Sequence, residues 1–283
     1  MKNHVSDKEP PSKSRRVATA DHDLLRYDRS GWAWEFLRLN PKFREALAAN
    51  GAVKRRTASN ITTIETTACA PEVRGFGICF AESPDDHYYE GGVFWRADFD
   101  PSILHVSADS GRGQSADLVI DFRRMDAEIT ILKLDKREYV RIAADSHSIA
   151  LEVVEGSVLQ SQQVRLRCHI DDLRHVPAQL LTLDRIYTIW RHNKFKKADF
   201  RADNRRHRWM LALQALELDL AGYSHRQIAE AVLHETNWRQ QGGSLRSRVR
   251  RIIALGHDLS ANGYLQILNG RTTKPVRLRN KSH

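Results

Sequence analysis

The period of the apolar residues divides the chain into three zones. Near the N-terminus Trp32, Phe36 and Leu39 recur at helical spacing, and Asn40 before Pro41 ends that run. Asn40 is also placed to cap a second short helix, in which Phe43 and Leu47 continue the stripe as far as Asn50-Gly51. From Arg74 the chemistry changes to glycines, aromatics and period-two alternation, which predicts strands at 77–81, 92–97, 118–122, 128–134, 138–143, 148–154 and 163–170. In the last of these Val164, Leu166, Cys168 and Ile170 point one way and Arg165, Arg167 and His169 the other, as in an antiparallel sheet with one wet face. Strands and helices do not alternate, so a doubly wound or barrel core is disfavoured. After Pro177 helical spacing returns, first over 180–192 and then with Trp209, Leu213, Leu216 and Leu220 in one stripe ended by Gly222. Ser224 and Gln227 form an S-x-x-Q capping box for a helix burying Ile228, Ala229, Val232 and Leu233. After a loop over 234–243, Ser244 is placed to cap a further helix running to about Ala261 and closed by Asn262-Gly263.

These elements predict an α+β fold: a short N-terminal helical module, an antiparallel β-rich middle region and a C-terminal trihelical, helix-turn-helix-like domain. The expected boundaries are a disordered tail over 1–23, the helical module at 24–50 and a threonine-rich linker at 51–73. A β-rich scaffold or assembly region follows at 74–176, then the helical domain at 177–270 and a basic tail at 271–283.

Composition narrows the function. At 283 residues, with 41% hydrophobic and 28% charged residues, the chain can bury a core without staples. A mean hydropathy of −0.54 and no apolar run approaching roughly 20 residues exclude a membrane helix. The first twenty residues carry cations without an apolar stretch behind them, so no secretory signal is read and a cytoplasmic location is expected. Cys69, Cys79 and Cys168 lack C-x-x-C spacing and are read as reduced thiols. The net charge is +10, and 201–283 holds 15 lysines and arginines against 6 acids, nearly the whole excess. A polyanionic partner for the C-terminal region is expected from that placement.

The helix after Ser244 shows where that partner sits. At about 100° per residue, Leu245, Ile252 and Ile253 fall within about 60° of Val249, while Arg246, Ser247, Arg248, Arg250 and Arg251 fill the remaining arc with no acid among them. A solvated helix face usually mixes signs to gain i,i+4 pairs, whereas clustered arginines need a polyanion to neutralise them. Arginine can bond guanine bidentately or clamp phosphates, so this helix is the expected major-groove reader of double-stranded DNA. Ser224, His225, Arg226 and Gln227 are expected to anchor the preceding helix on the DNA backbone, and Lys194, Lys196, Lys197, Arg205, Arg206 and Arg208 to hold flanking phosphates.

Trp209, Gly222, the run Ser224 to Ala231, Trp238, the run Leu245 to Ile253 and Gly263-Tyr264 also carry a family resemblance. The segment resembles the helix-turn-helix variant domain of proteobacterial conjugative-element excision activators and of a transcription factor controlling type VI secretion. Tyr27-Asp28, Trp32, the run Trp34 to Arg38 and Asn40-Pro41 are similar to the transcriptional-regulator-like module that accompanies this domain. The resemblance implies a transcription regulator of mobile elements or secretion loci, with RNA polymerase or a related antiactivator as protein partners and a homo-oligomeric state. The same family includes antiactivators that bind regulators instead of DNA, which is the rival reading.

Other constellations read as structural. Gly75-Phe76-Gly77 and the Gly111 and Gly113 pair lack the third glycine and the strand-to-helix context of a phosphate loop. The histidines at 87 and 234 complete no ligand set, so neither a metal nor a cofactor is expected. Asp85-Asp86 and Asp171-Asp172 read as turn carboxylates, and Trp32, Trp34 and Phe36 as core. No catalytic constellation appears, so an enzyme is not expected.

Overall fold

The computed structural model describes residues 24–48, 53–66, 70–81, 83–88, 92–111, 118–144, 147–170, 172–194, 200, 202–236 and 242–270. The expected tails at 1–23 and 271–283 and the Asn50-Gly51 stop lie outside these residues. The chain divides into two compact units, Met1–Tyr27 with Ala202–Asp258, and Asp28–Arg201 with Leu259–His283.

The second unit is built on an eight-stranded sheet. Its strands are β1 (Lys54–Ala58), β2 (Ile61–Glu65), β5 (Leu104–Ser110), β6 (Val119–Ile120), β7 (Glu128–Leu134), β8 (Arg137–Ala144), β9 (His147–Gly156) and β10 (Val164–His169), in the order β1-β2-β7-β8-β9-β5-β10-β6. A separate pair joins β3 (Ile78–Phe80) to β4 (Phe94–Trp95). Most neighbours are antiparallel, as the alternation predicts, but β2 runs parallel to β7 and β5 parallel to β9. The expected linker at 51–73 thus contains a hairpin, β1 with β2, followed by the short helix α3 (Pro71–Arg74). Strand β1 hides from pattern analysis because all five of its residues are exposed.

Val106, Ile131, Val140 and Val164 are fully buried in the sheet core, where they join Ile186 and Ile189 of helix α4 (Val176–His192). On the opposite face of β10, Arg167 pairs with Asp109 at 2.6 Å and His169 bonds Ser107 Oγ at 2.7 Å. Helix α4 therefore belongs to the core of the sheet unit, although pattern analysis groups it with the C-terminal helices.

The N-terminal module consists of α1 (Arg29–Leu37) and α2 (Pro41–Ala48). Asp28 caps α1 through Gly31 N at 2.9 Å, and Asn40 Oδ1 accepts from Lys42 N at 2.9 Å to open α2. Trp32, Trp34, Phe36 and Phe43 are fully buried, with Trp34 and Phe43 edge to face at 5.7 Å, so the aromatic cluster is core. The module is closed from the far end of the chain. Asn40 Nδ2 donates to Ser260 O at 2.8 Å, and Tyr264 stacks on Trp95 at 6.2 Å while its hydroxyl donates to Phe76 O at 3.2 Å. These C-terminal residues belong to a π-helical turn, Leu259–Gly263, and to α8 (Tyr264–Leu268). The expected stop at Asn262-Gly263 is therefore passed: Gly263 is buried and the helical backbone runs on to Leu268.

One ion cluster fastens this module. Glu35 is fully buried, receiving Arg38 Nε at 2.6 Å and the Tyr88 amide at 3.0 Å, with His87 Nδ1 at 3.0 Å. Burial works against the Glu35 charge, yet His87, Arg38 and the Tyr88 amide together hold its carboxyl below the ordinary range. Replacing Glu35 by Ala should remove the buried partner of Arg38, itself buried, and cost about 3 kcal/mol. Urea unfolding of the full chain reads this, and an unchanged midpoint would assign the pair no structural weight.

Candidate nucleic-acid interface

The helical unit contains α5 (Arg206–Leu220), α6 (His225–Leu233) and α7 (Gly242–Asp258). Two local devices set the α5–α6 turn. Gly222 adopts φ +81°, and the amides of Gly222 and Tyr223 return to the carbonyls of Asp219 and Leu218 at 2.9 and 3.0 Å, which terminates α5. Ser224 and Gln227 then form the expected capping box, with Ser224 N donating to Gln227 Oε1 at 2.9 Å.

Burial follows the predicted stripes except at Leu220, which is exposed at the end of α5, and at Leu233 and Ile252, which are half-buried. Ala215 of α5, Ile228, Ala229 and Val232 of α6, and Leu245, Val249 and Ile253 of α7 form one apolar cluster. Helix α7 also approaches α5 at Gly256, where an added Cβ would lie 2.6 Å from the Ala212 carbonyl oxygen and 2.8 Å from Leu216 Cβ. Nothing larger than glycine fits there without moving a helix. A glycine inside a helical pattern is the sequence signal for such a contact. At the same end of α7, His257 Nε2 meets Asp219 Oδ2 at 2.9 Å.

The opposite face of α7 is cationic. Arg246, Ser247, Arg248, Arg250 and Arg251 are all exposed, opposite the buried Leu245, Val249 and Ile253. Ser247 Oγ donates to Gly243 O at 2.9 Å, and Arg251 Nε to Ser247 O at 3.2 Å. Arg248 meets Glu235 at 4.0 Å, and Arg250 has no acidic partner among the described residues. The helix opens at Gly242, two residues before the expected cap at Ser244.

The other expected contacts divide. Ser224 and Gln227 spend their polar atoms on each other, whereas His225 beside them is exposed. Arg226 is exposed but pairs with Glu230 at 3.0 Å. Arg205 pairs with Asp203 at 2.9 Å and lies over the Trp209 ring at 4.7 Å, so its charge serves the start of α5. Arg206 is half-buried and Arg208 exposed. Lys194 is exposed at the end of α4, in the sheet unit. Lys196 and Lys197, together with Trp238, lie outside the described residues.

A capped trihelical core with an arginine-bearing outer face has the form of a DNA-binding domain. Residues 173–269 match the family described as the T6SS transcription factor DNA-binding domain. Residues 14–68 match the proteobacterial transcriptional regulator-like domain. Both agree with the resemblance drawn from the sequence, and both are regulator types, not enzymes. Together they support a transcription factor with a DNA-binding domain. No curated protein and no solved structure matches the chain. The DNA-binding match spans both compact units, since α4 packs in the sheet core and Leu259–Gly263 belongs to the sheet unit. Among the described residues no group of His, Cys, Asp and Glu could hold a metal, and no helix is long and apolar enough to cross a membrane.

Two of the glycines of α7 provide a paired test. Gly256→Ala should force α5 and α7 apart and cost about 1–3 kcal/mol. Gly243→Ala, whose Cβ meets nothing within 4 Å, should instead stabilise by about 0.5 kcal/mol. Thermal melts of both variants check the sign difference, and equal shifts would refute the close helix crossing.

Proposed function

We propose that the protein is a cytoplasmic, sequence-specific DNA-binding transcription regulator, an activator of genes in mobile elements or secretion loci. Helix α7 lies in the major groove, with Arg246, Arg248, Arg250 and Arg251 supplying base and phosphate contacts and Ser247 facing the same groove. His225, with Arg206 and Arg208, holds backbone phosphates, and Lys194, Lys196 and Lys197 extend that contact. The observation that carries this reading is the segregation on α7: four exposed arginines backed by a wholly apolar buried stripe. Such a face gains little from water alone and much from a guanine edge or a phosphate.

Protein partners enter through another surface. Helix α4 and the turn before it expose Leu173, Leu180, Leu181 and Tyr187, an apolar stripe that supports self-association into a homo-oligomer. The same stripe gives the antiactivator reading its physical basis, because a regulator or RNA polymerase could dock there without DNA. Salt distinguishes the two, since phosphate contacts release counterions and apolar docking does not.

Sequencing of DNA immunoprecipitated with the protein should return an enriched site. On that site Arg250→Ala should cost about 1–3 kcal/mol while affecting random duplex less, with an unchanged melting temperature. Equal losses on both duplexes would reduce α7 to a backbone contact, and intact binding would remove it from the interface.

A further inference from the structure

The β1–β2 hairpin at the edge of the sheet carries a second cationic surface. Lys54, Arg55 and Arg56 stand on an edge strand whose five residues are all exposed. The hairpin is held rigidly. Its turn residue Asn60 donates from Nδ2 to the carbonyls of Phe122, Met125 and Ala127 at 3.0, 3.2 and 3.0 Å. Strand β2 is in register with β7 along its whole length, from Ile61 against Ile129 to Glu65 against Lys133.

Beside the start of β1 lies a cleft of about 460 Å³ whose lining includes Lys54, Lys133, Lys136 and Arg137. Every acid lining it has another partner. Glu65 faces Lys133 Nζ at 3.5 Å, Asp135 pairs with Arg74, and Glu138 is buried and accepts from Ser157 Oγ and Val158 N at 2.6 and 2.9 Å. Glu65 lies across the strand pair from Lys54 but forms its ion pair with Lys133, and among the described residues neither Lys54, Lys136 nor Arg56 makes an ion pair with an acid. Lys136 is presented by a two-residue turn in which Asp135 and Lys136 both adopt positive φ, the tight hairpin geometry.

We propose that this sheet edge is a second contact for duplex DNA, in which Lys54, Arg56 and Lys136 neutralise backbone phosphates without reading bases. The inference rests on the DNA-binding reading above. A polyanion suits the site for two reasons. A concave surface whose acids are already paired focuses positive potential outward, and cations on a rigid ribbon lose little freedom on binding. Charged residues on an edge strand also prevent sheet-to-sheet pairing. That role does not explain Lys136, which sits in a turn on the far side of the cleft.

The test uses the full chain and a random-sequence duplex of about 40 base pairs, with dissociation constants measured between about 50 and 200 mM salt. The triple variant Lys54→Ala, Arg56→Ala, Lys136→Ala should lower the log-log salt slope by about 2.7, from about 0.9 per lost phosphate contact. The weakening of binding between those two salt concentrations would then shrink about 40-fold relative to the parent. A charge-retaining variant, Lys54→Arg, Arg56→Lys, Lys136→Arg, should keep the parental slope and exclude misfolding as the cause. An unchanged slope in the alanine variant, with Arg250→Ala still impaired, would overturn the sheet-edge contact and leave the α7 reading intact. An unchanged slope accompanied by self-association of the alanine variant would likewise overturn it, assigning the cations to edge protection. A lowered slope with Arg250→Ala unaffected would support the sheet edge and overturn α7 as the reader, and failure of the parent to bind any duplex would overturn both.

Discussion

The packing of Leu259–Leu268 on the N-terminal module is the constraint on which the rest of the molecule depends. Asn40 works at both ends of that contact, since one side chain starts α2 through Oδ1 and fixes Ser260 through Nδ2. Tyr264 completes the aromatic layer over Trp95, and burial pushes its hydroxyl up to about 12, so it stays a neutral donor to Phe76 O at physiological pH. As a result the sheet unit is made from two separated stretches of chain, and the helices from Ala202 to Asp258 form an insertion between them. A family domain defined by sequence and a compact unit defined by packing need not share boundaries.

Within the inserted helices one division of labour governs the chemistry. The residues that hold α7 in place, Leu245, Val249, Ile253 and Gly256, leave no role in packing for the arginines between them. The cationic face can thus change its binding preference without changing the core, because its residues contribute little to stability. The capping pairs belong to the structural side of that division. Ser224 with Gln227 and Arg205 with Asp203 are polar groups whose work is finished inside the fold.

Much of this was legible from periodicity. The strands from β7 to β10 alternate clearly, the α6 cap is spelled out by Ser224 and Gln227, and the α7 stripe separates its buried and exposed residues at helical spacing. Strand β1 was illegible because an edge strand exposed at every position has no alternation to detect. Strand β5 escaped because its buried run includes Ser107, a polar residue whose hydroxyl meets His169 of the adjacent strand β10, far away in sequence. The parallel pairings and the assignment of α4 to the sheet depend on tertiary contacts that no local pattern encodes. At the interface, the arginine cluster was legible in the sequence. The commitment of Arg205 and Arg226 to Asp203 and Glu230 was not, since short-range pairing competes silently with ligand binding.

The C-terminal closure also has a consequence for the order of synthesis. Domains generally acquire structure as they emerge from the ribosome, N-terminal parts first. Here the α1–α2 module, with Trp34 and Phe43, and Trp95 of β4 are not fully covered until Ser260 and Tyr264 have been added, after the whole of α5 to α7. The helices that carry the arginine face therefore leave the ribosome with their own core ready, while an aromatic surface waits uncovered behind them. The interval between the translation of Asn40 and of Tyr264 is the period in which a nascent chain of this protein most needs protection from its neighbours.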